Sequence, residues 1–183
     1  MISDKEILEK FRDENSRDEA LRLLLREYRE PIYYHVRRML LNHEDADDVT
    51  QTTFINAWKG LSFYRGESKL STWLYRIAHN ECLQFLSKKN RIMNVPLTEV
   101  HQKLQSVLQE DELFNGDELA SRLHVAVASL PEKQKAVFVL KYFEDKKYDE
   151  IADITGTSVG ALKASYHHAV KKIEEQLANV KLS

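Results

Sequence analysis

With 183 residues the chain can form one ordinary domain or two small ones, and 43% hydrophobic with 31% charged residues marks it as globular rather than disordered. No apolar run approaches the roughly 20 residues that span a bilayer, which excludes a membrane-spanning reading. Net charge is −2, so uniform basic character of the kind that coats nucleic acid is excluded as well.

Only 5 Gly and 3 Pro occur, and apolar residues recur with the period of amphipathic helices, so the expected fold is all-α. The opening "MISDKEILEKFRDE" is charged from its fourth residue and lacks a signal peptide's apolar core, which places the chain in the cytoplasm by expectation. A first helix is expected within 5–11 and a second within 17–29. Pro31 then punctuates the chain, and "IYYHVRRMLL" resumes a helical pattern to about Leu41. After the polar turn "NHED" comes "DADDVTQTTFINAWKGL", residues 45–61. Wound at about 100° per residue, it turns Ala46, Val49, Thr53, Phe54, Ala57, Trp58 and Leu61 to one face. The opposite face carries Asp45, Asp48, Thr52, Asn56 and Lys59, with Ile55 alone among them as an apolar residue. A single exposed Ile is common on any surface, so this periodicity shows which face is left free and not what uses it.

The loop "SFYRGESK" follows, with Phe63, Tyr64 and Arg65 around Gly66 as a plausible wall for an unstacked base. In "LSTWLYRIAHNECLQFLSKKNR", residues 70–91, Ser71 is the expected cap and Leu74, Ile77, Ala78, Cys82 and Phe85 the buried face. Cys82 is the single cysteine, which excludes an internal disulfide and a cysteine-based zinc cluster. Trp73, Arg76, Asn80 and Gln84 lie along another side and end in "KKNR", a stripe of aromatic, guanidinium, amide and ammonium groups suited to nucleic acid. The same aromatics also suit a core.

Residues 92–116 are polar, acidic and weakly periodic, and are read as a linker between two helical domains, 1–91 and 117–183. Six acids stand against Lys103 between Glu99 and Glu118, whereas 159–173 holds three Lys, two His and no acid. Local basic patches can therefore bind DNA while the chain as a whole stays near neutral. In "SLPEKQKAVFVLKYFE" Pro131 sits at a helix's first turn. In "YDEIADITGTSVGALKASYHHAVKKIEEQL" a short helix burying Ile151 and Ile154 leads through Gly156 to a second helix. Ser158 can cap that helix, and Leu162, Ala169, Val170 and Ile173 point inward. Its outer side holds Ser158, Lys163, Ser165, His167, His168 and Lys171, the pattern of a helix-turn-helix whose second helix enters a major groove. Alone, the pattern also fits an αα-hairpin with a solvated lysine face. The adjacent histidines lack Cys or carboxylate partners nearby, so no metal site and no cofactor are expected.

Taken together, "DADDVTQTTFINAW", "STWLYRIAHN" and "LPEKQKAVFVLKYFEDKKYDEIADITGTSVGALK" resemble regions two and four of the sigma-70 family. The absence of a domain between them resembles the compact extracytoplasmic-function, or group four, class. The likeness covers about 21–91 and 118–177, in the right order and spacing. It implies a region-two bundle and a region-four helix-turn-helix joined by an acidic linker. It also implies a dissociable specificity subunit of RNA polymerase without catalytic residues. Asp45, Asp48, Gln51, Thr52, Ile55 and Asn56 match the helix that docks on the β′ coiled coil. Phe63, Tyr64, Arg65 and Lys69 match the loop that holds a flipped minus-ten base. Trp73, Arg76, Asn80, Lys88, Lys89 and Arg91 match the helix that faces the promoter. Ser158, Val159, Lys163, Ser165, His167, His168 and Lys171 match the helix that reads the minus-thirty-five element, in a domain that also contacts the β flap.

The implied partners are thus core RNA polymerase, promoter DNA and an anti-sigma factor linked to the membrane. The implied place is the cytoplasm, on the nucleoid when in holoenzyme. Thr52 stands where the family usually has Glu, Gln84 where an acid is frequent, and Ser165 and His168 where Arg is common. Two missing guanidinium groups predict weaker phosphate contacts and a changed base preference. Leu74 replaces a second tryptophan of the housekeeping class, which predicts weaker melting and stricter promoter demand. A DNA-free mimic of a sigma factor has no use for the Trp73 stripe. A dimeric helix-turn-helix repressor leaves the Asp45 helix unexplained. An enzyme lacks a His partner or phosphate loop beside Asp45, Asp47 and Asp48.

Overall fold

The computed structural model describes residues 3–92, 114 and 118–179, and every regular element among them is helical. In chain order these are α1 (Asp4–Arg12), α2 (Arg17–Leu40), α3 (His43–Gly60), α4 (Leu70–Ile92), α5 (Glu118–Ala128), α6 (Glu132–Phe138), α7 (Tyr148–Thr155) and α8 (Val159–Asn179). No helix among the described residues is long and apolar enough to cross a membrane. The residues group into two compact units, one chiefly 1–85 and the other chiefly 86–183. Of the expected linker 92–116, all but Ile92 and Phe114 lies outside the described residues.

In the first unit α2 runs unbroken through Pro31, where the sequence predicts a punctuation. A proline inside a helix removes one N–H and crowds the preceding turn, at a cost of about 3 kcal/mol. The helix survives because its buried stripe continues on both sides, from Ala20 and Leu24 to Ile32 and Val36, while Pro31 itself is exposed. Each large apolar side chain buried this way returns roughly 1.5–3 kcal/mol. The helix ends at Leu41, whose φ of 68° lies in the left-handed region. That corner is held by the Leu41 N–H bonded to the Arg37 carbonyl at 2.8 Å and by the buried Arg37 guanidinium donating to the Leu41 carbonyl.

The expected turn "NHED" is instead the start of α3. Asn42 caps it by accepting from the Asp45 N–H at 2.9 Å, and Glu44 and Asp45 fall in the first turn, where acids complement the helix dipole. Ala46, Val49, Thr53, Phe54 and Ala57 are buried as their spacing predicts, and the Thr53 hydroxyl donates back to the Val49 carbonyl at 2.8 Å. Trp58 is half-buried, edge-on to Phe11 of α1 with centroids 4.9 Å apart.

Helix α4 starts at Leu70, so Ser71 is its second residue and not its cap. The Leu70 N–H is bonded to the Asp4 carboxylate of α1 at 3.2 Å instead. Leu74, Ala78 and Cys82 are buried and Ile77 and Phe85 half-buried, and Thr72, Tyr75 and His79 join them in the core. Burial pushes the Cys82 thiol far up and holds His79 down at about 4.

The second unit packs α5, α6 and α8 around Val127, Leu130, Val137, Leu140, Leu162 and Ile173. Pro131 stands one residue earlier than its first-turn reading, as the residue before the helix, and its carbonyl accepts from the Lys135 N–H at 2.9 Å. A π turn, Val139–Phe143, closes α6, with the Glu144 N–H reaching the Val139 carbonyl at 3.2 Å. The wider turn brings Tyr142 over Phe138, stacked at 5.1 Å. Phe114 is buried against His124, which stacks in turn on Phe143. Gly156 takes φ 68° between α7 and α8, a conformation costly for any residue with a Cβ.

Candidate partner and nucleic-acid interfaces

The outward side of α3 is open. Asp48, Gln51, Thr52, Ile55 and Asn56 are exposed and Asp45 half-buried, with Ile55 47% accessible. An isoleucine that keeps half its surface in water adds nothing to the monomer's core. Thr52 and Asn56 are engaged within the unit. The Thr52 hydroxyl donates to the Asp48 carbonyl at 2.9 Å, so its proton is spent inside the helix and its oxygen is left to accept. The Asn56 amide donates to Glu81 of α4 at 2.8 Å.

Helical periodicity within α3 could not show that α2 shares this face. A groove of about 820 Å³ runs between the two helices, and Leu25, Arg26 and Arg29 of α2 line it with Asp48, Gln51 and Ile55. These α2 residues were missed because no single-helix pattern sets two helices side by side. The groove is mixed in charge with an apolar floor, as a surface for a protein partner would be. At its neighbouring end His43 links the Tyr33 hydroxyl, 2.7 Å from Nδ1, to the Asp47 carboxylate, 3.3 Å from Nε2.

Beyond α3 the loop 62–69 is a braced turn. Gly66 takes φ 74°, the Tyr64 hydroxyl donates to the Ser68 carbonyl, and the Tyr64 ring lies against Trp73 with centroids 5.3 Å apart. Burial raises the Tyr64 hydroxyl pKa, so it stays a neutral donor. Trp73 also packs on Gly60, where an added Cβ would meet its ring at 3.3 Å. Trp73 is therefore half core, and the ring left open is Phe63, 82% accessible. Arg65 is exposed and pairs loosely with Glu67 at 3.8 Å, and Lys69 is exposed. Along α4, Arg76, Asn80, Gln84, Lys88 and Lys89 share exposure, while Leu74 is fully buried and turned away from that stripe. The side chain of Arg91 lies outside the described residues.

In the second unit α8 presents Ser158, Lys163, His167, His168 and Lys171 to solvent, with Val159 and Ser165 half-buried. Ser158 caps the helix, its hydroxyl oxygen accepting from the Ala161 N–H at 3.4 Å, and its carbonyl accepts from the Leu162 N–H at 3.0 Å. Inward, Leu162, Ala169 and Ile173 are buried and Val170 half-buried. Lys163 lies 5.8 Å from the Tyr148 ring, whose other cation neighbour is Lys141 at 5.3 Å. Tyr148 therefore steers the basic side of α8 as a cation–π support. Only folding brings it to α8 from the preceding helix.

Residues 24–92 match the model of Sigma-70 region 2, and residues 120–173 match that of Sigma-70, region 4. The chain is 30% identical over 162 residues to the ECF RNA polymerase sigma factor SigW of Bacillus subtilis, covering 84% of this chain and 86% of that one. It is 27% identical over 182 residues to the RNA polymerase sigma-H factor of Pseudomonas aeruginosa, covering 95% and 93%. Among solved structures, CnrH in complex with the cytosolic domain of CnrY shares the fold, with a TM-score of 0.68 at 22% identity over 96% of this chain and 97% of that one. The sigma factor RpoE in complex with the anti-sigma factor NepR from Bartonella quintana shares it at a TM-score of 0.67 and 19% identity, over 86% and 96%.

Proposed function

This chain belongs to the sigma-70 family, in its extracytoplasmic-function class, and is a noncatalytic RNA polymerase specificity subunit for promoter-specific initiation; we propose that it works through three separate faces. The α3 face docks on the β′ coiled coil through Asp45, Asp48, Gln51, Ile55 and Asn56, with Thr52 contributing shape and an acceptor oxygen. Leu25, Arg26 and Arg29 extend that contact along the groove. Residues 1–91 form the region-two domain, 92–116 the connector and 117–183 the region-four domain.

The minus-ten element meets the loop 62–69 and the outer stripe of α4. The observation that carries this is Phe63, a large ring 82% accessible on a loop otherwise tied down by the Tyr64 ring against Trp73 and the Tyr64 hydroxyl on Ser68. A ring held open in water costs hydrophobic free energy, and stacking against an unstacked base recovers it. Extruding that base costs a few kcal/mol, which favourable capture offsets. Trp73 acts beneath it as the floor that holds Tyr64, while Arg65, Lys69, Arg76, Asn80, Lys88, Lys89 and Arg91 contact backbone and bases. In the second domain Ser158, Val159, Lys163, Ser165, His167, His168 and Lys171 face the minus-thirty-five duplex. The cations there bind phosphate and the N-terminal residues lie nearest the base edges.

The sigma factor RpoE, which shares this fold, is solved in complex with the anti-sigma factor NepR. That supports control of this chain by a protein of that kind; its link to the membrane is part of the proposal. Acting with RNA polymerase, the chain works in the cell interior and joins the nucleoid as holoenzyme. The test is transcription in vitro by core polymerase plus this protein on a genomic promoter library. Initiation is expected at a narrow promoter set, and Phe63→Ala is expected to lower it at every member. Wild-type-level initiation by Phe63→Ala would remove the loop from the mechanism.

A further inference from the structure

Helix α1 lies outside the residues matched to region 2, 24–92, yet its first residue reaches the elements assigned to promoter opening. The start of α4 takes a side-chain acceptor from outside the helix. Lys69 occupies the cap position, its carbonyl accepting from the Trp73 N–H at 3.1 Å, but a lysine side chain carries no acceptor for the first helical N–H groups. Ser71 is already inside the helix. Leu70 is fully buried, so water is a poor substitute at its N–H. Asp4 fills the gap: one carboxylate oxygen accepts from the Leu70 N–H at 3.2 Å and the other from the Tyr28 hydroxyl of α2.

The carboxylate is thus fixed by two helices besides its own, and its charge suits a helix N-terminus. Helix α1 is itself anchored, by the fully buried Ile7 and by Phe11 edge-on to Trp58. What Asp4 fixes lies directly under the loop. Leu70 is the residue after Lys69, and one turn on, Trp73 carries the Tyr64 ring.

We propose that Asp4 is a positioning residue for promoter opening: by capping α4 from outside, it sets the angle between that helix and the loop 62–69 that receives the extruded base. This rests on the assignment of that loop to base capture. Without the cap, the first turn of α4 frays and Trp73 and Tyr64 lose a fixed floor. Phe63 then samples several orientations, and single-strand capture weakens while docking through α3 does not.

The experiment uses the full chain assembled with core polymerase. Its probe is a single-stranded non-template oligonucleotide spanning the minus-ten element of a promoter that the holoenzyme transcribes in vitro. Asp4→Ala, Asp4→Asn, Tyr28→Phe and Phe63→Ala are compared for oligonucleotide affinity and core affinity, well below their melting temperatures. Asp4→Ala is expected to bind the oligonucleotide roughly five- to tenfold more weakly with core affinity unchanged. Asp4→Asn keeps an acceptor for Leu70 and a donor for the Tyr28 oxygen, and is expected to recover most of the loss. Tyr28→Phe falls between them. If Phe63→Ala weakens the oligonucleotide but Asp4→Ala does not, the positioning role is wrong and the loop assignment stands. If Phe63→Ala has no effect either, the loop assignment fails and takes the proposal with it. Equal losses of core and oligonucleotide affinity in Asp4→Ala, unrelieved by Asp4→Asn, reduce Asp4 to a fold-stabilising residue and overturn the proposal.

Discussion

Helices α3 and α8 are built alike and differ in what they leave outside. Both bury a regular stripe, Ala46, Val49, Phe54 and Ala57 in one and Leu162, Ala169 and Ile173 in the other. Outside, α3 shows carboxylates, amides and one half-exposed isoleucine beside an apolar-floored groove, whereas α8 shows lysines, histidines and a serine, with no acid from Val159 to Ile173. A protein partner gains from desolvating apolar surface at the centre of a contact, and DNA gains from counterion release. The same amphipathic architecture thus suits two kinds of partner, and the chemistry of the free face makes the difference.

The cores beneath these helices differ too, and pH separates them most strongly. The first unit buries His79, held down at about 4 by desolvation against 6.5 when unfolded. Between those values the unfolded chain takes up a proton that the folded chain refuses. Stability is therefore full above pH 6.5 and falls as pH drops toward 4, by about 3 kcal/mol for this group alone. Both tryptophans, Trp58 and Trp73, lie in that unit, so their fluorescence during denaturation between pH 7 and 4 follows it specifically. His79→Gln should flatten the profile. The second unit buries Lys135, lowered to about 8 by desolvation, with Glu132 opposing. Here stability is expected to rise as pH climbs from 8 to 10.5, and Lys135→Met should remove the rise in calorimetry.

Next in size is Ile55→Asp, which sets an unpaired charge where a partner would desolvate the apolar side chain. Affinity for core polymerase is expected to fall by about 2 kcal/mol, some 30-fold, with the melting temperature nearly unchanged. A collapse in thermal stability with affinity intact would instead make Ile55 part of the core and end the contrast with α8. Smallest is Lys163→Ala. Binding to minus-thirty-five duplex should weaken similarly on every sequence, and the slope of log affinity against log salt should shrink by about 0.9. An unchanged slope would place Lys163 off the phosphates, held on the Tyr148 ring alone.

What could be read from the chain was whatever a single helix expresses in its own spacing. The core face of α3, the basic face of α8, the positive-φ glycine between α7 and α8 and the capping serine all follow from residues within a turn or two of one another. Those signals, in order along the chain, are also what resembles the sigma-70 family. Where the readings failed, a distant residue had intervened. Pro31 did not interrupt α2 because packing on both sides of it outweighs one lost N–H. Ser71 did not cap α4 because Asp4, 66 residues earlier than Leu70, does so. Thr52 and Trp73 kept their places, but an internal hydrogen bond and a stack on Tyr64 changed what each offers a partner. The α2 side of the groove, with Arg26 and Arg29, had no signal in sequence at all. Local periodicity by itself determined which elements form and which side of each is free, since both depend on residues one or two turns apart. Tertiary structure alone decided which free sides share a surface and which polar groups remain unspent, because hydrogen bonds and packing join residues without regard to their separation along the chain.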